Sequence, residues 1–450
     1  MSQAAEVPRV LVVSHNPFSN VQNNGKTLLA FFEDWPRERL AQLYLTLDEP
    51  SFDICGQFYR VTDLDVLKDA LPGLSGAAGP VEPTSWTRDR EVKSSLGKRR
   101  FYRTIRKVFL ARPPAALMVR SLVWNKARAD RERFRAWLDA CDPQLVFFQS
   151  SSAVFAFDLV EEICRDRQIP LIVETTDDYL TPGPRWQPFG RRYHRQMQRA
   201  YQRAIDRSYA AVAIGDKMAG EYSERFGGRW EVAMNSVDLP DTVPPRPDDD
   251  SRPVVLHFAG NLGLNRWRVL AVLGAALDVL AERHHTQARL EIFSIDAPEP
   301  VVLAELTASA RVSFRGSVDA AALHQHRSDS DVLVHVESFD EQNRHVTRLS
   351  VSTKIPEYMT ADRVILAIGP PDVASIQYVA DKDFGAVVTS PDPQRIAEEL
   401  RQLLADPQRR AALRSRARHL VEANHSRQRT KELVARLAVE AVAANGPGRR

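Results

Sequence analysis

"SVSTKIPEYMTADRVILAIGPPD" (residues 350–372) passes from a helix into a strand, and its reading decides the fold. Ser352 and Thr353 offer side-chain oxygens where a helix start needs them, and Lys354 falls in the first turn. Glu357 lies three residues on, on the same helical face. The helix reads as 352–361 and is followed by an apolar strand, "RVILAIG" (363–369). A cation at a helix start suits a phosphate group. Glu357 has two readings: a carboxylate aimed at a ligand's hydroxyls, or an acidic residue that the helix dipole favours there. It does not complete a capping box, because Lys354, and not Ser or Thr, precedes it by three.

Working outward, the second half of the chain repeats this alternation. "VVLHFAG" (254–260), "ARLEIFS" (288–294), "VSFRGSV" (312–318), "DVLVHVE" (331–337) and "GAVVTS" (385–390) read as further strands. Helical patterns separate them at 267–283, 319–327 and 393–405, and 408–444 closes the chain as a helical stretch. The first half does the same with "RVLVVS", "AQLYLTL", "PQLVFFQ" (143–149), "PLIVET" (170–175) and "AAVAIGD" (210–216) as strands. "TLLAFFEDW", "AVFAFDLVEEICRDR" (153–167) and "KMAGEYSERFG" are its helices, the last stopping at glycine. Such alternation predicts two α/β domains, each a doubly wound parallel sheet. A chain of 450 residues also exceeds the size of a single core. "LPDTVPPRPDDDSRP" (239–253) reads as the linker. The expected division is 1–240, a linker over 241–253, 254–425, and a tail of 426–450 whose helix packs back on the N-terminal domain. Residues 50–135 fit the rhythm poorly and read as an insertion. Ligands of such sheets sit at the carboxyl ends of the strands, so two domains facing across a cleft suit a two-substrate enzyme.

Charge balances overall, with 61 Lys and Arg against 58 Asp and Glu. The distribution is uneven: residues 88–135 carry 16 basic against four acidic side chains, a local +12 that leaves −9 elsewhere. A second basic stretch, 185–207, has seven arginines and one Asp. The cysteines Cys55, Cys141 and Cys164 are widely spaced, which argues against a disulfide framework or zinc site and suits a reducing compartment. No signal peptide is visible and no apolar run is long enough to span a bilayer.

"SNVQNNGKTLLAFF" (19–32) places Gly-Lys-Thr between a strand and a helix, as a P-loop does. Asn20 stands where the first glycine of that motif belongs, and "LIVETTDDY" (171–179) is only a loose Walker-B strand, so the P-loop reading is weak.

Four segments together resemble the GT-B glycosyltransferases, specifically the family-four type that uses nucleotide-sugar donors. They are the opening "NNGKTL"; "AIGDKMAGEYSERFGGRWEVAMNSVD" (213–238); "HFAGNLGLNRWRVLAVLGAAL" (257–277); and 350–372, which is similar to the family's "SKl.EYma.g.PVla.g". The resemblance implies that Glu357 accepts hydrogen bonds from both ribose hydroxyls of the donor. Ser352 and Lys354 would serve its phosphates, and Gly260, Asn261 and Arg266 of "GNLGLNRW" would line its diphosphate. Gly25 and Lys26 would approach the phosphates or the transferring sugar; a surface lysine is the alternative. Two departures stand out. Asn261 replaces a frequent arginine, and the first glutamate of the E-x₇-E pattern falls on Leu349, with Glu337, Asp340 and Glu341 nearby but out of register.

His15, at the end of strand one, and Glu174, Asp177 and Asp178, at the end of another, are the candidates for acid/base or acceptor roles. No metal or cofactor is expected, because "DLD" (63–65) and "DSD" (329–331) do not follow an apolar strand. "KRRFYRTIRKVFL" (98–110) interleaves cations with aromatic and aliphatic residues. It suits an anionic membrane surface or a solvated anion-binding face, with nucleic acid less favoured. The expectation is a hexosyltransferase-type, metal-independent enzyme that moves a sugar from a UDP- or GDP-linked donor to a glycan or lipid-linked acceptor. By resemblance it acts with retention. The expected location is the cytoplasm or the inner face of a membrane. A GT-B-like sugar-nucleotide epimerase or phosphorylase and a non-catalytic scaffold are the alternatives.

Overall fold

The computed structural model describes residues 7–19, 23–69, 78–83, 114–126, 131–181, 188–239 and 252–446. It divides into two compact units, Met1–Ala233 with Arg427–Arg450, and Met234–Ser426.

The first unit is built on one sheet in the order β4-β3-β2-β1-β5-β6-β7-β8. Its strands are β1 Val10–Ser14, β2 Leu40–Tyr44, β3 Gln57–Arg60, β4 Gly79–Val81, β5 Leu145–Gln149, β6 Leu171–Thr175, β7 Ala210–Ala213 and β8 Trp230–Val232. All pairs are parallel except β3 with β4. Parallel strands are covered on both faces, which explains why β1, β5 and β6 read as nearly unbroken apolar runs. The order reverses between β1 and β5. The helices are α1 Asn23–Phe32, α2 Asp63–Asp69, α3 Pro114–Lys126, α4 Arg131–Cys141, α5 Val154–Arg167, α6 Gly190–Arg207 and α7 Asp216–Phe226. Residues 50–135 were expected to be an insertion, yet β3 and β4 are members of the sheet. The basic stretch 98–110 lies outside the described residues.

The second unit has the order β11-β10-β9-β12-β13-β14, all parallel, with its reversal between β9 and β12. Its strands are β9 Val254–Ala259, β10 Ala288–Phe293, β11 Val312–Gly316, β12 Val332–Val336, β13 Val364–Ile368 and β14 Ala386–Val388. Its helices are α8 Arg266–His284, α9 Pro300–Leu306, α10 Ala320–Ser328, α11 Glu341–Thr347, α12 Lys354–Met359, α13 Ala374–Asp381, α14 Pro393–Ala405 and α15 Pro407–Asn424. Leu256, Leu273, Leu277, Leu290, Val334 and Leu366 form its main core.

The helical stretch expected over 408–444 is two helices. α15 ends at Asn424, and α16 (Arg427–Ala444) belongs to the first unit, where Val434 and Leu437 pack with Phe31, Phe32 and Phe147. The break falls at His425, whose buried imidazole is drawn to other partners. Its Nδ1 lies 2.7 Å from the carbonyl of Asn235 and its Nε2 lies 3.1 Å from the Tyr378 hydroxyl. Among the described residues no helix is long and apolar enough to cross a membrane. All three cysteines are free and buried, and burial pushes each thiol up to about 12.

Candidate functional site

Three segments meet where the strand order of the second unit reverses, at the carboxyl ends of β9 and β12. This is the position at which sheets of this type hold ligands. The first is the loop 260–265. The Gly260 amide donates to the Phe293 carbonyl at 3.0 Å, which closes the exit from β9. The Asn261 side chain accepts from the Gly263 amide within the loop. The chain then turns through Leu264 and Asn265, both at positive φ (55° and 58°), and α8 starts at Arg266.

The second segment, 337–340, leaves β12. Glu337 is 2% exposed and holds Arg266, whose Nη2 lies 3.0 Å from one carboxylate oxygen and 3.4 Å from the other. His335 Nε2 lies 3.3 Å from Glu337 Oε1. Burial pushes the Glu337 carboxyl up, but His335 and Arg266 together outweigh it and hold the group below its ordinary range. Asn265 Nδ2 donates to Asp340 Oδ2 at 2.5 Å, a second tie between these segments.

The third segment is α12. Lys354 Nζ lies 3.2 Å from Glu357 Oε2, and Arg327 Nη1, from the end of α10, approaches the same oxygen to 3.4 Å. Tyr358 anchors this helix to the end of β9, its hydroxyl accepting from the Ala259 amide at 3.1 Å. The capping expectation holds only in part. Ser352 Oγ accepts from the Lys354 amide at 3.3 Å, whereas Thr353 makes no side-chain cap bond. Behind these groups lies His257, fully enclosed on β9, with neither ring nitrogen hydrogen-bonded. Burial, then the charges of Arg327, His326 and Lys354, lower its pKa to about 3, so it stays neutral.

The second unit therefore gathers Gly260, Asn261 and Arg266 on one loop, and Ser352, Lys354 and Glu357 on one short helix. Two partners escaped the sequence reading. Arg327 sits in "HQHRSDSD" with no spacing that points to Glu357. Glu337 stands out of register with the E-x₇-E pattern, so the spacing does not single it out. Leu349, at the position of the expected first glutamate, is wholly buried.

In the first unit His15 follows β1, and its carbonyl accepts from the Leu45 amide at 3.1 Å. The sequence pattern places Gly-Lys-Thr in a loop, but α1 begins at Asn23 and puts Gly25 and Lys26 inside the helix. Gly25 is packed so closely that an added Cβ would lie 2.7 Å from the Pro17 carbonyl oxygen, while Lys26 is exposed. Glu174, in register with Gln149 on β5, is buried with its Oε2 unpartnered. Burial pushes its carboxyl up to about 8, Gln149 lowers it and Asp177 raises it. Asp178 Oδ1 holds the following turn, accepting from the amides of Leu180 at 2.9 Å and Thr181 at 3.0 Å and from the Tyr222 hydroxyl at 2.8 Å. Asp177 accepts from the Tyr179 hydroxyl at 3.1 Å. None of these candidates lines the cavity of about 970 Å³ walled by Tyr59, Trp124, Phe134 and Phe155.

Both D-x-D pairs are tied into the scaffold. Asp63 takes Arg120 and Trp124, Asp65 takes Thr62, and Asp331 takes Arg252 and the Val255 amide. Among the described residues no cluster of His, Cys, Asp and Glu is gathered where a metal ion could sit.

Residues 253–406 match the family model described as glycosyl transferases group 1. No curated protein matches the sequence. Solved structures are similar over nearly the whole chain. HepE of Anabaena, in complex with UDP, has a TM-score of 0.59 at 14% identity, covering 96% of this chain and 100% of its own. A second HepE structure holds UDP-glucose. Sucrose-phosphate synthase of Thermosynechococcus elongatus has a TM-score of 0.60 at 13% identity, covering 97% and 99%. The α,α-trehalose-phosphate synthase (UDP-forming) of Burkholderia vietnamiensis has a TM-score of 0.55 at 12% identity, covering 96% and 100%.

Proposed function

We infer that this chain, a GT-B fold protein with a match to glycosyl transferases group 1 in its second unit, is a glycosyltransferase. It moves a sugar from a nucleotide-sugar donor to a hydroxyl of a glycan or lipid-linked acceptor. The observation that carries this reading is Glu357, held between Lys354 and Arg327 at the reversal point of a Rossmann-like sheet. A carboxylate so placed can accept from both hydroxyls of a ribose, while Lys354 and Arg266 offer positive charge to the diphosphate. HepE, solved with UDP and with UDP-glucose, makes UDP the first nucleotide to test.

In the reaction the bond between the sugar's anomeric carbon and the diphosphate oxygen breaks. A bond from the acceptor oxygen to that carbon forms, and the acceptor's proton passes to the departing diphosphate. With retention, the diphosphate takes the proton on the face it leaves. The protein's part is positioning and charge stabilisation of the leaving group. Glu174, enclosed near the end of β6 with its carboxyl pushed up to about 8, is the acceptor-side candidate of the first unit.

Calorimetry with UDP, GDP, ADP and CDP tests the reading. Saturable binding of UDP or GDP, lost in Glu357→Ala, is the expected result. Absence of binding by every nucleoside diphosphate would overturn it.

A further inference from the structure

We propose that Glu337 is a positioning residue for the donor's diphosphate, gripping one nitrogen of Arg266 and turning the rest of that guanidinium toward the ligand. The proposal rests on the reading of a nucleotide-sugar donor given above. An arginine at the mouth of a loop loses much side-chain freedom when it binds a phosphate, and that loss weakens binding. Here the loss is already met. Arg266 commits only Nη2 to Glu337, and Nη1 and Nε make no hydrogen bond among the described residues. Those nitrogens keep the planar donor set that matches a phosphate's oxygens.

The seat for Glu337 is itself built. Its amide donates to the Ile368 carbonyl at 2.9 Å, which fixes where β12 ends. The neighbouring position on β13's exit is Gly369, where an added Cβ would lie 2.9 Å from the Glu337 Cβ and 2.9 Å from Ile376 Cγ1. His335, 5% exposed and two residues back on the same face of β12, closes the other side at 3.3 Å. The Asn265–Asp340 bond at 2.5 Å keeps the start of α8 from drifting away from this seat. A buried ion pair is a poor stabiliser compared with packed apolar side chains of the same volume. Its presence beside the loop is better explained by the geometry it imposes on Arg266. It also answers the departure at Leu349: the buried carboxylate at this end of the sheet comes from the end of β12, and not from the segment before α12.

A double-mutant cycle read by calorimetry tests this. UDP and uridine are titrated into wild type, Glu337→Gln, Arg266→Ala and the double variant, with melting curves to confirm folding. The expected result is a loss of about tenfold in UDP affinity for Glu337→Gln in the Arg266 background. In the Arg266→Ala background the same change has less than about a twofold effect, and uridine affinity is unchanged throughout. An equal loss in both backgrounds, an equal loss for uridine, or no loss at all overturns the proposal. If Glu337→Gln does not fold, Glu337→Asp, which keeps the charge and shortens the reach, is read through the same cycle. Wild type that binds no nucleoside diphosphate overturns the donor reading itself. Wild type that binds UDP with no coupling between the two positions overturns only the role of Glu337.

Discussion

Glu357 Oε2 sits 3.2 Å from Lys354 Nζ on its own helix and 3.4 Å from Arg327 Nη1 on α10. The carboxylate is half-exposed, so neither pair adds much to stability. What the two cations do is hold the carboxylate in one place through Oε2, with its other oxygen left to accept from a ligand.

The first prediction follows from that oxygen. Glu357→Gln should weaken UDP binding by about 10- to 100-fold, the usual worth of hydrogen bonds to a charged acceptor. Arg327→Ala should cost less, because Lys354 still holds the carboxylate. The decisive comparison is with 2′,3′-dideoxy-UDP. Wild type should prefer UDP, and Glu357→Ala, which leaves no side-chain acceptor, should bind both alike. Equal affinities in wild type would remove the ribose role.

A second prediction concerns acid. His425 is held at about 4, burial outweighing its bond to the Asn235 carbonyl, and His257 at about 3. Both values lie below that of a free histidine, so the unfolded chain takes up protons first as pH falls. The stability these neutral rings contribute is complete above about pH 6.5 and is lost progressively toward pH 4 for His425 and toward pH 3 for His257. Each should add a slope of about 1.4 kcal/mol per pH unit within that window. Melting temperatures between pH 7 and pH 5, before most carboxylates titrate, are the measurement. His425→Gln and His257→Gln should each flatten the curve, and a curve unchanged in both variants would refute the assignment.

Much of the fold was legible because its signals are local. Runs such as "VLVVS" and "LVFFQ" are apolar because parallel strands are enclosed on both faces, and turn residues separate them. The site was legible where its residues are neighbours in sequence, as with Lys354 and Glu357. It was hidden where the partners are distant. Arg327 meets a residue 30 positions away, and Arg266 meets Glu337 across 71. The break at His425 answers to Asn235, 190 positions back, so the helical composition of 408–444 carried no sign of it. The Gly-Lys-Thr sequence misled for another reason. Gly25 reads as a loop residue, yet its missing Cβ serves a close approach of α1 to residues 17–19.

That approach gives a third prediction. Gly25→Ala places a methyl group 2.7 Å from the Pro17 carbonyl oxygen and 2.8 Å from the Ser19 Cβ. Backbone must shift, at a cost of roughly 1–3 kcal/mol. Lys26→Ala, at an exposed position, should change stability by less than about 0.5 kcal/mol. Denaturant melts separate the two. If Lys26→Ala then slows sugar transfer while leaving stability alone, Lys26 touches the donor or the transferring sugar; unchanged turnover would assign it to the surface.

The last prediction concerns Glu174, whose enclosed carboxyl is pushed up to about 8 and has no partner for Oε2. The folded state holds this proton more tightly than the unfolded chain does. The stability linked to it is therefore complete below about pH 4.5 and falls as pH rises through 8. Replacing the carboxyl by an amide removes that dependence. Glu174→Gln should match wild type near pH 4.5 and exceed it by up to about 4 kcal/mol at pH 8. Stabilisation of that kind, coupled to a loss of sugar transfer, is the signature of a residue retained for function against its effect on the fold. Chemical melts at the two pH values, alongside transfer assays, read both quantities. A variant no more stable at pH 8 than wild type would show that the carboxyl is ordinary. A more stable variant with full activity would take Glu174 out of the reaction and leave it a buried group without a catalytic task.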